Sequence, residues 1–227
     1  MAELIFPVPE PVLVPIRGGG AFPVRRIYCV GRNYAEHARE MGHDTREPPF
    51  FFDKPADAVL TGGAAMAYPP ETGDLHHEIE LVVAIGRDGS DIAEAAALDH
   101  VWGYGVGLDM TRRDLQAAAK KAGRPWTLAK GFDQSAPLGD LARASDIGHP
   151  QQGAITLLVN GAEVQRGDLG EQIWNVAETI AFLSRFVGLK AGDLIMTGTP
   201  KGVGAVSRGD VLEGAIEGVG RVRTVIV

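Results

Sequence analysis

The sequence holds a single cysteine, Cys29. No internal disulfide can form, and a Cys-rich zinc site is excluded. Excess positive charge is missing too. The formal net charge of -7 argues against non-specific nucleic-acid binding, while a local cationic site for an anionic substrate stays open. No run of about 18 apolar residues exists, so no membrane span is expected. The N-terminus, MAELIFPVPEPVLVPIRGGG, has no basic leader region and is broken by prolines, unlike a secretory signal. There is no low-complexity tract and no solenoid-type repeat. A cytoplasmic location fits a chain without disulfides.

What is present is ordinary for a globular protein: 45% hydrophobic and 22% charged residues in a chain of 227, enough for one sizeable core. Thirty glycines and many short strand signals favour an α+β fold, a β-rich mixed-sheet roll or barrel with a few short helices. Residues 1–24 read as a Pro/Gly-rich arm and residues 25–227 as one main domain. RNYAEHAREMG reads as a short helix capped by Asn33, and TRRDLQAAAKKAG and IWNVAETIAFLSRFVG as further helices. AITLLVNGAEVQRG reads as a hairpin, with Asn160-Gly161 as a type I′ turn.

DLHHEIELVVAIG reads as a strand, yet it carries Glu78 and Glu80. Side chains in a strand alternate, so both point the same way, with Cα atoms roughly 6.6 Å apart at about 3.3 Å rise per residue. A solvated sheet face is one explanation. A divalent cation is the other, since it would offset the repulsion and prefers carboxylate oxygens. Asp109, at the end of the apolar run VWGYGVGLD, is the candidate third ligand or else a helix N-cap. Three acidic ligands with open positions suit Mg²⁺.

Arg113 and Gln116 follow, three apart on one helix face. Together they could clamp a carboxylate, or they could be polar surface. Lys130, in the apolar stretch PWTLAKGFD, either snorkels to solvent or stays buried as a cation that stabilises an oxyanion or enolate. His37 and Glu40 are three apart on the first short helix and could form a general base for water, or an exposed helix pair. The Gly/Pro-containing loop after them, Met41 to Pro49, could act as a lid. TGTPKGVG lacks the phosphate-loop spacing, but the hydroxyls of Thr197 and Thr199 could line an anion pocket.

CVGRNYAEHAREM, FFDKP, LHHEIELVVAIG, GYGVGLDMTRRDLQ, WTLAKGFD and GDLIMTGTPKGVG, in this order, resemble the fumarylacetoacetate hydrolase family. The likeness is closest to its short acylpyruvate and fumarylpyruvate hydrolases and oxaloacetate decarboxylases. It runs from about residue 25 to 220, and six blocks in order leave little room for chance. The resemblance implies a mixed β-roll, Mg²⁺ or Mn²⁺ dependence and usually a homodimer acting on a small oxo-dicarboxylate. The family's E-x-E and D metal pattern falls on Glu78, Glu80 and Asp109, and its catalytic lysine on Lys130. Its lid His and Glu fall on His37 and Glu40. Substrate contacts fall on Arg32, Lys54, Arg113, Gln116 and Thr199. Arg112 departs from the small residue expected there and could adjust the pocket charge. The extra N-terminal domain of longer members is not expected. The implied reaction is metal-dependent hydrolysis of a C–C bond in a 1,3-diketo acid, by His/Glu-activated water and with a stabilised pyruvate enolate. Alternatives are an oxaloacetate decarboxylase or unsaturated-diacid isomerase on the same site, or a non-enzymatic ion-binding module.

Overall fold

A computed structural model of the protein describes residues 4–34 and 47–227. A six-stranded sheet runs in the spatial order Ala142–Arg143, Val101–Leu108, Ile79–Ile85, Asp193–Met196, Arg26–Gly31, Phe50–Lys54. Its pairs are antiparallel except Asp193–Met196 with Arg26–Gly31. The apolar pattern explains its place. Every residue of Ile79–Ile85 is buried, which a strand can be only when both sheet faces are covered.

One face, carrying Leu81, Val83 and Ile85, packs against Ile155, Leu157 and Leu212 of a four-stranded sheet and against Ile180 and Leu183. That second sheet has the order Ala162–Asp168, Ala154–Val159, Val211–Ile216, Gly220–Val225. The other face, with Val82 and Ala84, meets Ile27, Cys29, Met196 and Leu138 in a second core. Truncating a side chain such as Leu81, which is fully buried, should cost about 2–5 kcal/mol. The N-terminal residues Val12–Pro15 and Ala21–Val24 form a hairpin that sends Val14 and Phe22 into the second core. The sheets are open and staggered, a mixed β-roll with few helices rather than a closed barrel.

Two local expectations hold in detail. The hairpin Ala154–Val159/Ala162–Asp168 turns at Asn160 and Gly161, both with positive φ, 52° and 79°, as a type I′ turn requires. The helix expected over TRRDLQAAAKKAG covers Arg113–Lys121. The helix expected over IWNVAETIAFLSRFVG is shorter, Val176–Leu183, because Asn175 and Glu178 form a capping box that fixes its start. Two helical turns, Thr127–Lys130 and Ala144–Ile147, complete the α-helices among the described residues.

The long strand expected over Asp74 to Gly86 is broken at Glu78. Leu75–His77 pairs with Thr111–Arg112 and Gly204–Ala205 in a small third sheet, while Ile79–Ile85 joins the large one. The chain changes sheets at the first of the two glutamates. The Glu78 carbonyl still accepts from the Asp109 amide at 2.8 Å, so the break costs no buried hydrogen bond.

Candidate active site

The sheet change brings three carboxylates together. Glu78, Glu80 and Asp109 are all buried, and one oxygen of each lies within 4.8 Å of the others. A solvated face is thereby excluded for the two glutamates. The N-cap alternative for Asp109 fails too: the helix Arg113–Lys121 has Arg112 at its N-cap and no side-chain cap. The Asp109 side chain instead faces Lys130, whose Nζ lies 2.6 Å from Asp109 Oδ2 and 2.8 Å from Glu78 Oε2. Lys130 is 1% exposed, so it does not snorkel. Burial alone would lower its pKa, but the fields of Asp109 and Glu78 outweigh burial and hold it well above the usual lysine value.

The two glutamates are unequal. Burial would raise Glu78, yet the adjacent Lys130 and Arg113 pull its pKa down; Arg113 Nη2 donates directly to Glu78 Oε1. Among the described residues no cation is ion-paired with Glu80. Burial, followed by repulsion from Asp109 and Glu78, raises its pKa well above the ordinary range. Among the described residues it accepts one hydrogen bond, from the Gly198 amide to Oε2 at 2.7 Å. Gly198 has φ 94°, and a Cβ there would lie 2.7 Å from Asn33 Cβ, so only glycine can present this amide without strain.

Behind the cluster lies Lys54, buried, with Nζ donating to the Met110 and Lys130 carbonyls. It stands 2.8 Å from Asp109 Oδ1, close enough for an ion pair but not aligned for a hydrogen bond, and Oδ1 has no donor. A buried carboxylate oxygen without a donor, beside a glutamate without a cation, is what a hard divalent ion would satisfy. The donor set, all carboxylate oxygen, suits Mg²⁺ or Mn²⁺ rather than a thiolate-seeking metal.

These groups open into a cavity lined by Glu78, Glu80, Lys130, Arg113, Gln116 and Thr199, and also by Arg32, Lys120, Gly198 and the rings of Phe50, Phe52 and Trp126. Arg113 Nη1 donates to Gln116 Oε1 at 2.6 Å. Thr199 Oγ1 accepts from Gln165 Nε2 at 2.9 Å, and Gln165 Oε1 accepts from the Ile79 amide at 3.1 Å. One buried amide thus ties the Thr199 loop to the backbone between the two glutamates.

Several expectations need correction. Lys54 is not among the residues lining this cavity; it sits opposite Ile27 in the register, with its ammonium against Asp109 and the Met110 and Lys130 carbonyls. Arg112 also lies off the cavity. Its guanidinium stacks 4.5 Å from the Phe132 ring and donates to the Leu128 carbonyl. Thr197 is buried away from the cavity, its hydroxyl donating to the Leu81 carbonyl. The Asn33 side chain reaches across the fold, Oδ1 accepting from the Trp174 amide and Nδ2 donating to the Trp174 and Thr197 carbonyls; the helix it is expected to cap lies outside the described residues. His37 and Glu40, and the helix and most of the lid expected around them, lie outside the described residues.

Sequence reasoning missed Gln165, Gly198, Lys120 and Trp126. A signal existed only for Lys120, which falls four residues after Gln116 and so shares its helix face.

No helix among the described residues is long and apolar enough to cross a membrane. Residues 26–227 match the family model for the fumarylacetoacetate (FAA) hydrolase C-terminal region. The fold is similar to a crystal structure of fumarylpyruvate hydrolase from Pseudomonas aeruginosa in complex with Mn2+ and pyruvate, with a TM-score of 0.96, 56% sequence identity and 99% of each chain covered. The chain is 44% identical to the mitochondrial oxaloacetate tautomerase FAHD1 of Rattus norvegicus, over 86% of this chain and 88% of the relative. It is 42% identical to the oxaloacetate tautomerase YcgM of Escherichia coli (strain K12), over 87% and 90%. With almost its whole length matched and the acidic cluster set against a cavity, the chain belongs to the fumarylacetoacetate hydrolase family.

Proposed function

We propose that this protein is a divalent-metal-dependent hydrolase that cleaves a C–C bond of fumarylpyruvate or a related acylpyruvate and releases pyruvate. The observation that carries the reading is the buried Glu78, Glu80 and Asp109 cluster with the Lys130 ammonium set against it at the base of the cavity. The whole-length likeness to a fumarylpyruvate hydrolase with Mn2+ and pyruvate supports it.

In this reading Glu78, Glu80 and Asp109 hold Mg²⁺ or Mn²⁺, which polarises substrate oxygens and takes up developing negative charge. Arg113 and Gln116 bind the carboxylate of the 2-oxo acid end. Each terminal nitrogen of Arg113 keeps one N–H beyond those given to Glu78 and Gln116, and the Gln116 amide adds a donor. The Thr199 hydroxyl, already accepting from Gln165, has its proton free to donate to a substrate oxygen. His37, oriented by Glu40, removes a proton from water as it adds to the distal carbonyl; this assignment rests on the sequence pattern. The C–C bond then breaks, its electron pair passing to the pyruvate fragment. Lys130 stays cationic and stabilises the enolate oxygen. Lys54 acts on Asp109 and on the backbone of Met110 and Lys130, as a positioning residue.

A second reading, oxaloacetate tautomerase, is favoured by the names of the rat and Escherichia coli relatives. It would use the same carboxylates and base to move a proton between carbon and oxygen, breaking no C–C bond. We also assign a homodimer and a cytoplasmic location. The apolar groove of Tyr28, Phe51, Leu183 and Phe186, with Phe186 68% exposed, supports the first. The one free, buried cysteine suits the second. Initial rates with fumarylpyruvate, acetylpyruvate and oxaloacetate, with Mg²⁺ and then with chelator, test the function. Metal-dependent release of pyruvate from an acylpyruvate supports hydrolysis. Enol–keto conversion of oxaloacetate with acylpyruvates untouched supports the second reading.

A further inference from the structure

Three cavity residues share one face of the helix Arg113–Lys121. Arg113, Gln116 and Lys120 stand at i, i+3 and i+7 and all line the cavity. The first two are committed to neighbours: Arg113 to Glu78 and Gln116, and Gln116 to Arg113. Lys120 is not. No carboxylate among the described residues pairs with it, and its ammonium lies 5.4 Å from the Trp126 ring centroid.

Arg32 lines the same part of the cavity. Its backbone has φ 58°, which costs a non-glycine residue free energy and persists where the surroundings impose it. Its Nε is buried without a hydrogen-bond partner, and its guanidinium sits 5.5 Å from the Phe50 ring centroid. The two cations feel each other. Burial first, then the charges of Arg32 and Arg113, lower the Lys120 pKa.

The cavity therefore has two unlike parts. One holds Glu78 and Glu80 with Lys130. The other holds Arg32 and Lys120, with no carboxylate among the described residues that line it, beside the rings of Phe50 and Trp126. A substrate with a single carboxylate, taken by Arg113 and Gln116, would leave Arg32 and Lys120 unmatched. A second carboxylate, at the far end of a flat conjugated chain, would match both the charges and the ring walls.

We propose that Lys120, together with Arg32 and beside the Trp126 ring, binds the distal carboxylate of the substrate and makes the protein select dicarboxylic over monocarboxylic acylpyruvates. This rests on the acylpyruvate reading above. Lys120 is a specificity residue in direct contact with substrate. Its neighbour Lys121, exposed as Lys120 is but off the cavity, is the control.

The test compares wild type with Lys120→Met, Lys120→Arg and Lys121→Met. kcat/KM is measured for fumarylpyruvate and for acetylpyruvate, which ends in a methyl group. Lys120→Met should lower kcat/KM for fumarylpyruvate about 10- to 100-fold, mostly through KM, as expected for a lost charged hydrogen bond. Acetylpyruvate should change by less than about threefold. Lys120→Arg should recover much of the loss, and Lys121→Met should match wild type. Equal losses with both substrates, or no loss with fumarylpyruvate, would overturn the proposal. Calorimetric binding of fumarate and of crotonate, which has a methyl group in place of one carboxylate, reads the subsite without turnover. Wild type should prefer fumarate, and Lys120→Met should remove that preference; an unchanged preference, or none in wild type, overturns the proposal. If wild type cleaves neither acylpyruvate, the hydrolase reading fails, while the fumarate comparison still decides the subsite.

Discussion

Replacing Lys130 with methionine tests how the buried cluster divides its work. The substitution keeps the length of the chain and removes a cation lying 2.8 Å from Glu78 and 2.6 Å from Asp109. Breaking a buried pair by removing one partner typically costs about 3–5 kcal/mol. Here Arg113 still faces Glu78, and Lys54 still stands 2.8 Å from Asp109, so the lower end, about 3 kcal/mol, is expected without metal. For a chain of this length that lowers Tm by about 6–12 °C. A divalent ion restores part of the loss, because it binds the same carboxylates and only in the folded state. Turnover behaves differently. Losing a preorganised donor at a developing oxyanion costs about 10²–10³ in kcat, and added metal does not recover it. The assays are thermal unfolding with chelator and with Mn²⁺, Mn²⁺ titration, and initial rates at saturating metal. The reasoning is refuted if kcat falls less than about fivefold. It is also refuted if Mn²⁺ affinity falls in step with kcat, since Lys130 would then build the metal site rather than serve the reaction.

Other outcomes follow from the same geometry. In the metal-free protein Glu80 has a raised pKa, so the folded state binds this proton more tightly than the unfolded one. Its contribution to stability is full below the ordinary glutamate value of 4.5 and is lost as pH rises through the folded value. Chelated protein should therefore lose Tm on this side of the profile, with Mn²⁺ giving a larger stabilisation at pH 7 than at pH 5 and Glu80→Gln flattening both effects; a pH-independent Mn²⁺ effect in wild type would contradict this. His37→Ala should cut acylpyruvate cleavage about 10²–10⁴-fold while leaving any oxaloacetate conversion comparatively intact, and equal losses would show that His37 holds substrate instead of activating water. Phe186→Asp should shift a homodimer toward monomer in sedimentation velocity, because it puts a charge in the apolar groove; an unchanged dimer would remove that groove from the interface.

How far the sequence could be read depends on the range of the interactions involved. The same-side placement of Glu78 and Glu80 follows from two-residue spacing, a local rule, and the chain obeys it at the site even though the strand is broken there. The break itself was not legible. It depends on Leu75–His77 pairing with Thr111–Arg112, more than 30 residues away. Asn160-Gly161 was legible because its backbone angles are set by the two residues themselves. The long-range bonds of Asn33 were not legible for the opposite reason: its side chain bonds Trp174 and Thr197 across the fold, and no local pattern reports that. Lys54 shows the limit of a motif. FFDKP marks the right neighbourhood, but strand register decides on which side of Asp109 the ammonium lies. Gln165 sits in a hairpin whose sequence signal concerns its turn, and nothing there points 34 residues on to Thr199. Lys120 carried a usable signal, the four-residue step from Gln116, yet a Lys-Lys pair in a last helical turn looks like solvent-facing charge favoured by the helix dipole.

The central claim is that water is added across a C–C bond of an acylpyruvate at this site. The most direct measurement is conversion of fumarylpyruvate by the Mn²⁺-loaded protein in heavy-oxygen water, followed by mass spectrometry of the fumarate released. The account predicts pyruvate and fumarate in equal amounts, one solvent oxygen in each fumarate, and no product after chelation. Fumarate without solvent oxygen, or a substrate that is only tautomerised, would contradict it.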